Sequence, residues 1–259
     1  MSRNQPDRNE RQPSDEFHTT HWSIVVSARK NSENDLETRR ASLEELCSAY
    51  WMPLFSYLRR KGISPDDSAD FVQGFFSELI EKDFVKAVDQ ERGRFRWFLM
   101  SAINRYIAKQ IEKNETIKRG GQVNLLSIDW HNAERDYCNE PVDGWTAEKI
   151  FDRRWALSVL KQTLESLDQY YHELGQSKLF EKLRPLLMAD GGQTDTYKKI
   201  AVELEMTEGA VKVAASRMRD RYKSRLSQIV SQTLADPAAI DDEIRILLNA
   251  LRGPMADKT

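Results

Sequence analysis

Residues 196–226 read TYKKIAVELEMTEGAVKVAASRMRDRYKSRL, and their spacing decides the fold class. Ile200, Ala201 and Leu204 recur at helical intervals and give a short helix one apolar face. Ala201 is small enough for a second helix to cross close to it. Thr207 can cap that helix, and Glu208 suits its positive N-terminus. Val211, Ala214, Met218 and Tyr222 are spaced to pack inward. Glu208, Gly209, Lys212, Ala215, Ser216 and Arg219 then fall at or near the outer side. A short turn, an inward apolar pattern and a basic outer face together describe a helix-turn-helix over Tyr197–Leu226, with helices predicted at 195–204 and 207–231. In such a motif the first residues of the second helix reach base edges in the major groove. Lys212 can donate to guanine or to phosphate, and Arg217, Arg221 and Lys223 suit phosphates. Glu205 stands where such turns usually carry glycine. If its φ is positive, the side chain costs on the order of 1 kcal/mol.

Upstream of the motif the pattern predicts helices over 147–168 and 171–188, with Gly191-Gly192 as a break. Downstream, Asp236–Leu251 carries an amphipathic stripe (Ile240, Ile244, Leu247, Leu248, Leu251) that either packs on a domain or holds the protein inactive. Residues 120–146 open on Gly120-Gly121, are rich in turn formers and acids, and read as a linker in which 125–130 packs locally. An earlier helical block precedes it. Leu43, Leu46, Tyr50, Leu54 and Leu58 mark a helix from about Leu36 to Lys61, which Pro53 should kink or divide. Ser64 is a candidate N-cap, with Pro65 at the first helical position. The helix it opens buries Phe71, Val72, Phe75, Phe76, Leu79 and Ile80, leaving Asp70, Gln73, Ser77 and Glu81 on the other face. A loop, Asp89–Gly93, leads to a third helix over 94–118, with Phe95, Phe98, Leu99, Ala102, Ile103, Tyr106 and Ile107 as apolar positions. Residues 1–16 are polar and expected to be disordered, whereas 17–28 (FHTTHWSIVVSA) are apolar enough to pack. The expected fold is therefore all-α: helical domains at 17–119 and 147–232, a linker at 120–146, and a helical extension and tail at 233–259.

The chain of 259 residues is 40% hydrophobic and 31% charged, as in ordinary soluble proteins. It has no apolar run near the roughly 20 residues that span a bilayer, and no secretory signal core. Cys47 and Cys138 build no disulfide framework and suit a reducing cytoplasm. The net charge of −2 conceals strong local imbalance. Residues 66–91 hold eight acidic and two basic side chains, 92–119 eight basic and two acidic, and 196–226 eight basic and four acidic. Charge runs are ordinarily solvated faces, but the two basic ones are candidate phosphate contacts and the acidic one a candidate protein contact. Among His18, His21, His131, Cys47 and Cys138 only His18 and His21 are a close pair. Without a CxxC or HExxH, no metal is expected. No phosphate loop, nucleophile elbow or carboxylate pair stands out, so neither an enzyme nor a cofactor is expected.

The first block narrows the choice among DNA-binding proteins. Residues 46–84 (LCSAYWMPLFSYLRRKGISPDDSADFVQGFFSELIEKDF) and 92–113 (RGRFRWFLMSAINRYIAKQIEK) resemble conserved region 2 of sigma factors, and 197–222 resemble region 4. Order and spacing are similar to the extracytoplasmic-function (ECF) group. FHTTHWSIV, QERGRFRWFL and DRRWAL look like stretches of the ECF-like sigma factors of planctomycete-type bacteria. The resemblance implies core RNA polymerase and promoter DNA as partners, an anti-sigma factor or regulatory kinase as controller, and no membrane. It implies that Asp70 and Gln73, with Glu78 and Glu81, face the polymerase clamp. Gly74 departs from a position where a carboxylate is common. Arg92–Phe98 match the segment that holds the melted minus-ten strand. An extruded base needs a flat apolar partner and a cation for its phosphate, and stacking is worth about 1–3 kcal/mol. Trp97 is the stacking candidate, with Arg92, Arg94, Arg96, Asn104, Arg105 and Lys109 as phosphate or base contacts, whereas Phe95 and Phe98 suit the core. Ala108, Lys109 and Gln110 differ from the family's usual residues. Lys212, Ser216 and Arg219 fall where region 4 reads the minus-thirty-five element, beside Glu208 and Arg221, and Thr207 and Arg217 fall where phosphates are held.

Two other classes fit parts of the pattern. One is a one-component regulator, with 36–118 as a sensor or dimerisation domain, binding a palindrome as a dimer. The other is a helical interaction protein with a vestigial helix-turn-helix. The aromatic-basic segment 92–113 is superfluous to the first, and the basic residues of 196–226 to the second.

Overall fold

The computed structural model describes residues 36–81, 94–114, 130–139, 144–187 and 194–252. Within them the chain is all-α. Its helices are α1 (Leu36–Arg60), α2 (Pro65–Glu81), α3 (Phe95–Asn114), α4 (Trp130–Cys138), α5 (Ala147–Glu173), α6 (Ser177–Leu183), α7 (Thr194–Glu203), α8 (Glu208–Ser231) and α9 (Ile240–Arg252), with 3-10 turns at Arg184–Leu186 and Pro237–Ala239. No strand forms among the described residues, although an isolated antiparallel bridge joins Arg94 to Leu234. Among them, too, no helix is long and apolar enough to cross a membrane. The expected disordered tail, the apolar 17–28 stretch, the Asp89–Gly93 loop with Arg92, and Gly191-Gly192 lie outside the described residues.

α1 continues through Pro53 rather than being divided there. A proline inside a helix removes one hydrogen bond and costs about 3 kcal/mol or more. Leu46, Tyr50, Leu54, Phe55 and Leu58, on both sides of it, are fully buried. Each is worth about 1.5–3 kcal/mol, so packing outweighs the backbone penalty. α2 starts as its sequence predicts: Ser64 Oγ accepts from the Asp67 amide at 3.1 Å, and Pro65 opens the helix. Val72, Phe75, Phe76 and Leu79 are buried. Gln73, expected on the outer face, is buried as well. It lies between Ala69 and Phe76 on a face wider than the six apolar residues suggested. α3 buries Phe95, Leu99, Ala102, Ile103, Tyr106 and Ile107, as its periodicity predicts.

α5, 27 residues and about 40 Å long, is the spine. Thr146 caps it, accepting from the Lys149 amide at 3.3 Å. Its buried side chains include Ile150, Phe151, Trp155, Val159, Leu167 and Tyr171. They meet α1 along one side and α6, α8 and α9 elsewhere. The buried residues of 46–107 and 151–247 thereby join into one apolar cluster. The break expected between 168 and 171 does not occur. The helix ends at Gly175, whose φ is +68. There the Gly175 amide donates to His172 O at 2.9 Å and the Gln176 amide to Tyr171 O at 2.8 Å, a Schellman motif that requires the left-handed residue glycine supplies.

α4 lies inside the stretch read as a linker. This nine-residue helix sets the buried Ala133 and the half-buried Tyr137 on the core, and a polar contact adds to that hold. Arg59 donates from Nε and Nη2 to the two Glu134 oxygens, both at 2.8 Å, and lies over the Tyr137 ring at 5.3 Å. The Arg59 guanidinium holds the Glu134 carboxyl below its ordinary range.

Gly74 has a packing reason. A Cβ there would stand 2.2 Å from the Tyr106 hydroxyl, which crosses α2 at this point. The Tyr106 ring is buried and packs edge-on against Phe75 at 6.0 Å, so it has little room to withdraw. Gly74→Ala should lower stability by about 1–3 kcal/mol through overpacking, despite alanine's better helix propensity. In a Tyr106→Phe background the same change should cost clearly less, since the nearest ring atom is then 3.3 Å from the added Cβ. A double-mutant cycle by urea unfolding checks this; equal effects in both backgrounds would refute the clash.

Candidate nucleic-acid interfaces

The helix-turn-helix forms from α7 and α8. Thr207 caps α8, its Oγ1 accepting from the Ala210 amide at 3.2 Å. Ile200 and Ala201 of α7 meet Val211, Met218 and Tyr222 of α8, all buried. Ala215, expected outward, is also buried, while Ala214, expected inward, is half-buried. The spacing Val211, Ala215, Met218, Tyr222 runs four, three, four, so residue 214 lies on the shoulder of the stripe. The turn uses the same hydrogen bonds as the end of α5. The Met206 amide donates to Ala201 O at 2.9 Å, the Glu205 amide to Val202 O at 3.3 Å, and Glu205 has φ +54. Glu205 is thus the strained non-glycine that its position in the sequence implied.

Lys212, Ser216 and Arg217 are exposed on α8, beside the exposed Gly209. Lys212 Nζ lies 2.6 Å from Glu208 Oε1, and the ammonium holds that carboxyl below its ordinary range. Two arginines expected on this face have inward ties. Arg219 is half-buried and donates from Nη2 to Leu186 O and Tyr197 Oη, both at 3.2 Å. The Arg221 guanidinium lies 4.6 Å from the Tyr170 ring centre. Arg219 therefore locks α8 onto the preceding elements, leaving Lys212, Ser216 and Arg217 as the open readers.

The second candidate surface is the start of α3. Phe95 and Leu99 are buried, yet Trp97 between them is 48% exposed. Arg94 and Arg96 flank its ring, with guanidinium carbons 4.8 Å and 5.5 Å from the ring centre. Arg96 is only 2% exposed. Its Nη1 donates to Glu243 Oε1 on α9, and its Nε lies 3.0 Å from Asp152 Oδ1 on α5. Arg94 Nε lies 2.5 Å from the other Glu243 oxygen. The Arg96 guanidinium also sits over Trp155 at 5.1 Å. Two guanidinium groups and two carboxylates thus form a neutral cluster, with Trp155 buried against Arg96 and Trp97 half-exposed at its edge. Burial pushes the Glu243 and Asp152 carboxyls up, and the two guanidinium groups pull them back. Removing Arg96 or Glu243, the two fully buried members, strands the other charge and costs about 3–5 kcal/mol.

Farther along α3, Asn104 Nδ2 donates to Tyr57 Oη at 2.8 Å, and Lys61 Nζ donates to Asn104 Oδ1 at 2.9 Å. Arg105 is exposed. Lys109 Nζ lies 3.0 Å from Glu78 Oε1, so a candidate strand contact and a candidate clamp contact share an ion pair. Asp70 is exposed, Gln73 and Glu78 are buried, and the Glu81 side chain lies outside the described residues. Sequence reasoning missed Asp152 and Glu243. Glu243 left one signal: it occupies an inward position on α9, beside Leu247, where an apolar residue would be ordinary.

The chain matches no family model, no curated protein and no solved structure among those compared.

Replacing Glu205 with glycine should raise stability by about 0.5–1 kcal/mol, since the left-handed turn is then free of side-chain strain. Urea midpoints of the two proteins check this, and an unchanged or lower midpoint would show that Glu205 is compensated elsewhere.

Proposed function

We propose that this chain is a sigma factor of the extracytoplasmic-function type, which binds core RNA polymerase and directs promoter recognition and initiation. In this reading residues 17–119 bind polymerase and the melted minus-ten strand. Residues 147–232 read the minus-thirty-five duplex, and 120–146 set the distance between them. The observation that carries the reading is Trp97, a half-open ring between buried neighbours with two guanidinium groups against it. A flat apolar face beside cations suits an unstacked base and its phosphate. The capped α8, with Lys212, Ser216 and Arg217 exposed, supplies a second, duplex-reading surface in the same chain. Linked sites gain affinity only when both can be engaged at once, so on this reading promoter spacing depends on the α1–α5 packing that joins the two blocks as well as on 120–146.

The occupation of Arg94 and Arg96 by Glu243 favours one rival, a dimeric one-component regulator that uses only its helix-turn-helix. Copurification with core polymerase, followed by run-off transcription from genomic fragments, separates the two. A regulator would fail to bind core and would bind a palindromic duplex unaided.

Trp97→Ala should impair promoter opening more than polymerase binding, as measured by permanganate reactivity and core affinity. Equal loss of both, or loss of helicity by circular dichroism, would make Trp97 a packing residue. Lys212→Ala should weaken discrimination at the minus-thirty-five element by on the order of 1 kcal/mol. An unchanged footprint would remove that role.

A further inference from the structure

We propose that Glu243 is a built-in stand-in for a nucleic-acid phosphate: residues 233–243 occupy the Arg94/Arg96 site in the free chain and leave it when a single strand binds. The inference rests on the reading of Arg94, Arg96 and Trp97 as strand contacts.

The geometry of the carboxylate carries it. Glu243 Oε1 accepts from Arg96, and Oε2 lies at ion-pair distance from Arg94 Nε without hydrogen-bond alignment. A backbone phosphate offers the same pair of acceptor oxygens with the same charge. The side chain is 1% exposed on a helix whose next inward residue, Leu247, is fully buried. Packing alone gives no reason for an acid there. The arginines give one.

The surrounding chain behaves as a strap. The Phe95 amide donates to Thr233 O at 3.1 Å, and Arg94 bridges Leu234. Asp236 accepts from the Ala238 amide at 2.9 Å, turning the chain into α9. The far end is held where Arg153 Nη1 donates to Leu251 O at 2.8 Å. The strap follows directly from Ser231, the last residue of α8, so the reader helix and the phosphate mimic are one continuous piece.

Trp97 lies at the edge of this contact. Its ring is open while the cations beside it are engaged. Exchange of Glu243 for a phosphate keeps each guanidinium paired and returns the carboxylate to water. Asp152 stays against Arg96 throughout, so the exchange never leaves that guanidinium bare.

The test measures binding of a short fluorescein-labelled single-stranded DNA to the full chain by anisotropy at low salt. Glu243→Gln should tighten binding about tenfold, because a charged competitor is replaced by a neutral one. Adding Arg94→Ala should abolish the gain. Equal affinities of wild type and Glu243→Gln would overturn the strap. A gain without binding of either protein to core polymerase would leave the strap standing and sink the sigma-factor reading. Should Glu243→Gln fail to fold by circular dichroism, hydrogen exchange on the wild-type chain decides. Excess oligonucleotide should raise exchange in residues 233–243, and unchanged protection there would overturn the proposal.

Discussion

A guanidinium group cannot enter a protein interior without its counter-charges, and the burial of Arg96 sets that demand here. Its partners come from far along the chain, Asp152 on α5 and Glu243 on α9. Three helices must therefore meet at one point before the cluster is neutral. Trp155, beneath the guanidinium, is also a hydrogen-bond partner of the buried Tyr50 on α1. The charge requirement at α3 thus propagates into the longest helix contact of the fold. Apolar burial supplies most of the stability, but it is non-directional. The arginine cluster fixes which faces meet.

Much of this was legible in short windows of sequence. Ser64 and Thr207 announced the helices they cap, and the apolar periodicity of α3 named its buried face apart from Phe98, which is half-buried. Glu205 stood out as a wrong residue for its turn, and its φ is positive. These features are local, decided by hydrogen bonds and spacings within a few residues. The continuity of α1 through Pro53 was not legible, because long-range packing overrides the local breaker. Gln73 and Ala215 were misplaced for a related reason: how wide a face is covered depends on how many helices cover it. α4 is short and sits between turn formers, with one small buried residue, Ala133, and an arginine fork holding it, so it was not separated from the surrounding linker.

The candidate sites divide along the same line. Trp97, Lys212, Ser216 and Arg217 are where the sequence pattern put them, on open surface. Arg94, Arg96 and Arg219 are not free, because partners distant in sequence claim them. A cation's residue type says what it can bind; only the fold says what it binds already. The two surfaces consequently differ in state: on α8 the reading residues are exposed, with Lys212 paired to Glu208 one turn away, whereas on α3 the ring is open and the cations are engaged by partners distant in sequence.

The crossing of Tyr106 over Gly74 has a consequence for inheritance. The hydroxyl occupies the space that any side chain at position 74 would need, so the two positions cannot vary independently. A lineage that gained a carboxylate at 74 would first have to lose the hydroxyl at 106, or pass through an overpacked intermediate. Among relatives of this chain, glycine at the one should travel with tyrosine at the other, making the pair a heritable signature that neither residue provides alone.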